Sequence, residues 1–438
     1  MSDRFVHLKV ASGYSLQHGA SHPYALVERA VEHEMDSLAL TDRNGVYGAV
    51  RFVKACAQAG IRPILGVDLA FSHAAPVVQR TRTPARGGAF RDLKRPRVTF
   101  VANGAAGWAA VCRLVSAVHA EGRTAEVGDP VVTLDLVKQH LNESVIVLLG
   151  PDSPLGQIMV RRRPDLAVAE LHRWCEMVAR DQLIIDVVSH RLPGSGIGTS
   201  AHAARMLGFA RAQRHPVVLT NAVRYADRLD APIVDVLDAA RRLVPMDARH
   251  LDRGNAEGYL KSGKQMDDIA EEICRMAGSD SRRDVANLLG STRKVADRCA
   301  LDPRGDLGLG EVHFPVLTQT EVSADQVLRE RCEAKVGSRY GNQPRQRIWK
   351  RLDDELSVIA HLGYASYFLT VGEVTDIIAN LGIRSAARGS GAGSLVNYLL
   401  GVSGVDPIRH GLLMELFLSP LRQSLPDVDL DVESARRL

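Results

Sequence analysis

Short apolar runs alternate with segments of helical apolar spacing through the first half of the chain. The runs predict buried strands, and the spaced segments predict helices around 24–34 and 49–59. Repeated strand–helix units of this kind favour an α/β fold with a barrel-like sheet. The predicted strands are Phe5–Val10, Ser37–Leu40, Arg62–Leu69, Val145–Leu149, Leu183–Val187 and Pro216–Thr220.

The pattern changes beyond the last of these strands. Between 258 and 298 the apolar spacing becomes helical, and the glycine-rich stretch 302–310 predicts a connector. The segment 72–97 is rich in proline, glycine and arginine, which predicts a long exposed loop. A chain of 438 residues is too long for one ordinary core, so we expect two domains, at 1–285 and 286–438.

Two segments near the end of the chain carry candidate chemistry. A glycine-rich loop at 388–394 follows a predicted helix at 367–378 and precedes an apolar helix at 395–400. Backbone N–H groups at such a loop and helix start favour a phosphate. The second segment, 426–433, alternates carboxylates with apolar residues and predicts a strand with one acidic face, made of Asp427, Asp429, Asp431 and Glu433. Carboxylates spaced about 6 to 7 Å apart repel one another unless a metal ion or an arginine lies between them.

Composition limits the expected localisation and cysteine chemistry of the protein, but it does not identify a function. The net charge of +4 is compatible with nucleic acid but is weak evidence by itself. Charged residues at the start of the chain and the lack of an apolar run of about 20 residues predict a cytoplasmic protein with no membrane partner. The six cysteines form no CxxC pair, so neither a zinc site nor a disulfide framework is expected.

Polar residues cluster where the predicted strands end, which is where barrels of this kind bind ligands. They are His7, Lys9, Asp42, Arg43, Asp68, Asp186, His190, Asn221 and Arg224. This part of the chain, 5–225, resembles the polymerase-and-histidinol-phosphatase (PHP) domain of bacterial C-family DNA polymerases. Active PHP domains carry HxH, Asp-His and a late acid with a histidine, where this chain has His7-Leu-Lys9, Asp42-Arg43 and Asn221–Tyr225.

These departures make the PHP site mostly degenerate, because lysine and arginine cannot ligate a metal ion through a lone pair. No metal is expected there. One hypothesis is that Lys9, Arg43 and Arg224 replace the metal charge by pairing with Asp42, Asp68 or Asp186. The alternative is that His7, Asp42 and Asp68 are structural polar residues left in a scaffold.

The region 352–437 resembles the palm of the same polymerases, at 363–369, 387–396, 417–420 and 426–431, and the segments 386–390, 404–410 and 431–437 resemble the error-prone, translesion branch. The implied fold is a PHP-type distorted (β/α) barrel followed by part of a mixed α+β palm. The resemblance implies that Asp429 and Asp431 are two of three catalytic aspartates and ligate Mg²⁺ or Mn²⁺. The residues implied at the incoming triphosphate are Arg388, Gly389, Ser390, Gly393 and Ser394. Asp427 is interpreted as structural and Glu433 as solvated or supporting.

The implied partners are primer–template DNA and dNTPs, with a sliding clamp and translesion accessory proteins by resemblance alone. Leu416 stands where the family usually has an arginine, so a cation expected near the phosphates is missing. The third aspartate, thumb and fingers of the family would follow residue 438, so we expect the chain to be incomplete. Three functions remain open: a DNA polymerase, a PHP-type phosphoesterase or proofreading exonuclease, and a non-catalytic truncated product.

Overall fold

The computed structural model describes residues 5–72, 95–124, 130–247, 253–279, 281–311, 322–341, 346–419 and 426–436. Two compact units are present, Met1–Glu311 and Val312–Leu438. The boundary expected at residue 285 falls within a helix, Arg282–Cys299, that packs on the sheet of the first unit, so this unit continues beyond it. Most of the predicted loop at 72–97 lies outside the described residues.

The first unit consists of a seven-stranded sheet and its surrounding helices. Its strands are β1 (Ser37–Arg43), β2 (Arg62–Ser72), β3 (Arg97–Ala102), β4 (Val131–Thr133), β5 (Val145–Leu149), β6 (Leu183–Val188) and β7 (Val217–Thr220). Its helices are α1 (Pro23–Glu32), α2 (Ala49–Ala59), α3 (Gly104–Thr124), α4 (Leu134–His140), α5 (Pro154–Val160), α6 (Pro164–Cys175), α7 (Ser200–Ala212), α8 (Ala231–Arg242), α9 (Gly263–Met276) and α10 (Arg282–Cys299).

The sheet order is β1-β2-β3-β5-β6-β7, with β4 pairing beside β2. Strands β1 and β2 are parallel, as are β5, β6 and β7, whereas β3 runs antiparallel to both of its neighbours. The predicted α/β fold is therefore confirmed. The strands β3 and β4 were not predicted, since each adjoins a segment without regular apolar spacing.

The predicted strand Phe5–Val10 is instead an extended segment with a single bridge. On one side, the Thr41 N–H of β1 donates to the Val10 carbonyl at 2.8 Å. On the other side, the Val223 N–H, just beyond β7, donates to the Lys9 carbonyl at 2.9 Å. This segment thus joins the two edges of the curled sheet, which brings its polar side chains to the point where the barrel closes.

In its described residues, the second unit contains four α-helices and a two-stranded antiparallel ribbon. Its buried core includes Leu352, Phe368 and Phe417. The helices are α11 (Ala324–Tyr340), α12 (Gln346–Leu362), α13 (Ala365–Asn380) and α14 (Leu395–Leu399), and the strands are β8 (Ser385–Arg388) and β9 (Asp429–Val432). The predicted helices at 367–378 and 395–400 correspond to α13 and α14. Among the described residues, none of the helices has the length and apolar character needed to span a membrane.

The core of the first unit predicts a large cost for removing a central aromatic ring. Phe100 on β3 is fully buried, so Phe100→Ala should leave a cavity and lower the free energy of unfolding by about 3–5 kcal/mol. Urea unfolding followed by tryptophan fluorescence would measure this, because Trp108 and Trp174 both lie in the first unit. The control is Leu229→Ala, at a side chain that is 87% exposed. Equal effects of the two substitutions would contradict the assigned core.

Candidate functional site

The acidic ribbon of the second unit is formed by β9 on its partner β8. Arg388 lies opposite Asp429, and Ala386 lies opposite Asp431. Both aspartates are exposed, whereas Leu430 between them is partly buried and packs on the core of this unit. The alternation follows from the two-residue repeat of a strand, so the two carboxylates lie on the same face.

Arg388 reaches both of these carboxylates. Its Nη2 is 3.6 Å from Asp429 Oδ2, and its Nε is 3.4 Å from Asp431 Oδ1. The guanidinium relieves the repulsion between the two aspartates, yet it is 65% exposed and both contacts are loose. Exposed ion pairs contribute about 0–1 kcal/mol, so a cation could displace the arginine at little cost. Exposed carboxylate oxygens are the donors that a hard divalent ion such as Mg²⁺ takes, so the donor set fits such an ion.

The glycine loop was expected to bind a phosphate at the start of α14, but the groups there bind a carboxylate of the protein. Ser394 is buried, and its hydroxyl donates to Glu355 Oε2 at 2.9 Å. The backbone N–H groups of Leu395 and Val396 donate to the same carboxylate at 3.0 and 3.1 Å. The helix end that was expected to hold a phosphate is therefore already bound to Glu355. Of the predicted triphosphate contacts, Arg388, Gly389 and Ser390 remain exposed.

Glu355 itself is held by Arg351, one helical turn earlier on α12. Arg351 Nε donates to Glu355 Oε1 at 2.7 Å, and its Nη2 donates to the carbonyl of Gly393 at 3.1 Å. Sequence reasoning missed both residues. The i,i+4 spacing of an arginine and a glutamate was a visible signal, but exposed surface pairs show the same spacing. Only the fold reveals that this glutamate is buried against the loop.

A cavity of about 460 Å³ in the first unit brings several of the predicted PHP-site residues together. Lys9, Arg43, Asp68, His190 and Arg224 line it. The remaining predicted residues of this site, His7, Asp42, Asp186 and Asn221, are buried and are not on its wall.

Asp68, within β2, is paired with two arginines. Arg97 Nε on β3 donates to Asp68 Oδ2 at 2.6 Å, and Arg43 Nε lies 3.6 Å from the same oxygen. Burial alone would raise the pKa of Asp68, but Arg97, followed by Lys9 and Arg43, lowers it below its usual value. Burial, with the nearby Arg97 guanidinium, lowers the pKa of Arg43 to about 9. The Asp68 carboxylate and the Arg43 guanidinium therefore stay charged near neutral pH.

Arg224 does not take the partner suggested for it. Its Nη2 and Nη1 donate to the two oxygens of Asp238 on α8, at 2.6 and 3.2 Å. Of the suggested pairings, the structure contains that of Arg43 with Asp68, whereas Arg224 pairs with Asp238. The replacement of a metal charge by these cations stays a hypothesis. Arg97 and Asp238 were missed because neither lies within a motif.

The other polar residues of this site are engaged with the protein. Asp42 accepts hydrogen bonds from the Ser12 N–H at 2.6 Å and from the Ser15 hydroxyl at 2.7 Å. His7 Nε2 donates to the Lys261 carbonyl at 2.8 Å, and His190 Nε2 to the Asn221 carbonyl at 2.7 Å.

Burial lowers the pKa of both His7 and His190 to about 4, so these imidazoles are neutral near neutral pH. Over the described parts of the chain, no group of three or more histidine, cysteine or acidic side chains is placed to hold a metal ion. The residues present at this site do not fit the metal centre of an active PHP domain.

Asp186 on β6 is held more weakly, because neither of its carboxylate oxygens has a hydrogen bond of good geometry among the described residues, although the Thr220 hydroxyl lies beside it. Burial raises the pKa of Asp186 to about 7, although Lys9 opposes the shift. Unfolded aspartate titrates near 3.8. The folded protein therefore binds the proton more tightly, and folding stability falls as the pH rises from about 4 to 7.

Asp186→Asn should remove this loss of stability. Relative to the native protein, the variant should gain about 2–3 kcal/mol in free energy of unfolding between pH 5 and pH 8, at 1.36 kcal/mol per pKa unit. Urea unfolding at the two pH values measures the gain, with Asp268→Asn on the exposed face of α9 as the control. A gain that did not depend on pH would show that Asp186 is already ionised at pH 5.

Glu355→Ala should strongly destabilise the second unit. The substitution leaves Arg351 and two loop N–H groups without their buried acceptor, at a cost of about 3–5 kcal/mol. Glu355→Gln should cost less, because the amide oxygen still accepts one or two of these bonds. Glu373→Ala, at an exposed position of α13, should change stability by less than about 0.5 kcal/mol. If Glu355→Ala matched this control in thermal unfolding, the role assigned to the carboxylate would be wrong.

Two family models match the chain over separate ranges. The model for the PHP domain matches residues 7–190. The model for the bacterial DNA polymerase III alpha NTPase domain matches residues 326–438. The first range lies within the first compact unit and the second range lies within the second unit.

Curated relatives match nearly the whole chain. The error-prone DNA polymerase of Symbiobacterium thermophilum is 31% identical over 99% of this chain and 37% of its own length. The DNA polymerase III subunit alpha of Caulobacter vibrioides is 30% identical over 99% of this chain and 36% of its own length. The error-prone DNA polymerase of Mycolicibacterium paratuberculosis is 29% identical over 99% of this chain and 37% of its own length. The chain thus spans little more than a third of the length of these relatives. Over that part it is similar to bacterial DNA polymerase III alpha subunits and error-prone polymerases, with a PHP domain followed by a DNA polymerase III alpha NTPase domain.

Proposed function

We propose that this protein takes part in template-directed DNA synthesis, and that the ribbon of its second unit supplies part of a nucleotidyl-transfer site. The observation that carries the proposal is the pair Asp429 and Asp431, exposed on one face of β9 with Arg388 against both. The substrates would be primer–template DNA and dNTPs. The relatives named as polymerases support this proposal, although the chain spans only part of their length.

Asp429 and Asp431 would hold Mg²⁺ or Mn²⁺, since carboxylate oxygens are the ligands these ions prefer. Two such ions, about 3.5–4 Å apart, activate the primer hydroxyl and neutralise the triphosphate in nucleotidyl transfer. Arg388 would then leave the two aspartates and turn its guanidinium to the phosphates, where it opposes the charge on the leaving pyrophosphate. Its exposure and its loose contacts leave it free to make this change.

The glycine loop would bring its backbone close to the triphosphate and offer it hydrogen-bond donors. Gly389 has a φ of 71°, a left-handed conformation that favours glycine, and it follows Arg388 directly. The Ser390 hydroxyl is exposed beside it and could donate to a phosphate oxygen. Ser394 would act through Glu355, by fixing the loop, and would not contact the nucleotide itself.

We further propose error-prone, translesion synthesis in DNA damage repair as the specific role, in the cytoplasm. This rests on the segments that resemble the error-prone branch and on relatives of that name. A relative named DNA polymerase III subunit alpha is similar to the same degree, so the choice of the error-prone role rests on these segments. A phosphoesterase at the PHP site is disfavoured, because Asp42, His7 and His190 are hydrogen-bonded to the protein and Lys9 and Arg43 offer no lone pair to a metal ion.

Primer extension tests the proposal, with the 438-residue chain and any longer protein that contains it assayed in parallel with Mg²⁺ or Mn²⁺. In whichever form extends primers, Asp429→Asn and Asp431→Asn should each lower the rate by roughly 10²–10³-fold or more, because the metal ligands act on the transition state. Asp427→Asn, at an exposed neighbouring carboxylate, is the matched control and should stay within about threefold. Unchanged extension by Asp429→Asn, with the fold intact by circular dichroism, would refute the assignment.

A further inference from the structure

The cavity of the first unit has strongly cationic walls. Lys9 and six arginines line it, against two carboxylates, those of Asp68 and Asp152. The wall therefore carries much more positive than negative charge. Such a concentration of cations is costly unless anions lie nearby.

Neighbouring carboxylates neutralise part of this charge. Arg97 and Arg43 share Asp68, as described above. Asp238, which is paired with Arg224, also contacts Arg241, with 3.0 Å between Asp238 Oδ1 and Arg241 Nη2.

Arg253 is paired with Asp235 on α8 through both of its carboxylate oxygens. Among the described residues, three carboxylates are thus divided among five arginines. Lys9 and Arg95 add two more cations to the wall, and Asp152 adds one more carboxylate. Internal pairing does not use up the positive charge.

Two donors on this wall also lack acceptors. The Nε groups of Arg43 and Arg95 are shielded from solvent, and neither has a hydrogen-bond partner among the residues that the structure describes. Asp68 is too far from Arg43 Nε, at 3.6 Å, to accept a hydrogen bond. Buried donors in native proteins nearly always have a partner, and each one left without a partner is destabilising. An acceptor supplied by a ligand would satisfy both.

We propose that this cavity is a metal-independent binding site for a small phosphate-bearing anion, such as orthophosphate, pyrophosphate or a nucleoside monophosphate. Arginine forks match the oxygens of a phosphate group, and they bind it with short charge-assisted hydrogen bonds. The volume of about 460 Å³ is within the range of small-ligand pockets and would admit an anion of this size. Cations thus hold the phosphate group that a metal centre would otherwise bind.

The proposal does not rest on polymerase activity, because all of its residues lie in the first unit. Nor does it require hydrolysis. The site would bind an anion at equilibrium with no bond made or broken.

Isothermal titration calorimetry of the 438-residue chain, in the presence of EDTA, tests this proposal. Pyrophosphate, orthophosphate and dAMP are titrated separately, and the tightest of the three identifies the source of the phosphate group. Arg95→Gln and Arg43→Gln should each weaken binding by about tenfold or more, since each removes a charged donor. Arg95→Lys should restore part of the affinity, because it keeps the charge but loses the fork.

Two control variants distinguish binding in this cavity from binding elsewhere on the protein. Arg51→Gln, on the exposed side of α2, removes an arginine away from the cavity and should leave the affinity unchanged. Asp429→Asn, in the second unit, should also leave it unchanged. Circular dichroism would establish that each variant is folded. If Arg43→Gln fails to fold, the affinity of Arg95→Gln still tests the proposal.

Several results would overturn the proposal. They are no binding by the native protein at millimolar anion, binding that requires added Mn²⁺, and equal affinity in Arg95→Gln and the native protein. Loss of binding in Asp429→Asn would place the anion in the second unit instead. Tighter binding of an unphosphorylated oligonucleotide than of pyrophosphate would identify a nucleic-acid surface and contradict a small-anion site.

Discussion

The Asp68 side chain, within β2, is only 5% exposed, and Arg97 Nε, 2.6 Å from Asp68 Oδ2, compensates for the burial of this charge. A buried carboxylate without a partner would lose several kcal/mol of hydration with little return. Because Arg97 lies on the antiparallel strand β3, this ion pair also ties β3 to β2 beside the cavity. The cations around Asp68 then define the chemistry of the cavity.

In the second unit, too, each buried carboxylate needs a partner, but only some of the carboxylates are buried. Glu355 is buried and is matched by Arg351 and by the N–H groups at the start of α14, so its charge serves to fix the glycine loop. The carboxylates of Asp429 and Asp431 remain exposed on the neighbouring ribbon, matched only by the loose contacts of Arg388. One set of carboxylates serves the fold, and the other is left available to cations from solution.

Much of the fold could be predicted, because local patterns encode it. The helix at 49–59 and the parallel strands follow from apolar spacing alone, and the alternating exposure of β9 follows from its alternating sequence. Long-range partners could not be predicted in this way. Nothing near Arg224 in the sequence points to Asp238, and nothing in the glycine loop points to Glu355, 39 residues before Ser394. The predicted first strand failed for a related reason, since its pairing depends on two distant edges of the sheet.

We propose that cations take the place of metal ligands in the first unit, and that the exposed carboxylates of the second unit bind a divalent ion. Manganese binding to the 438-residue chain, followed by electron paramagnetic resonance, tests both halves of this claim. The account predicts that binding is lost in the double variant Asp429→Asn/Asp431→Asn and is unchanged by Asp68→Asn in a folded protein. Manganese binding that survives the double variant and is lost in Asp68→Asn would contradict it.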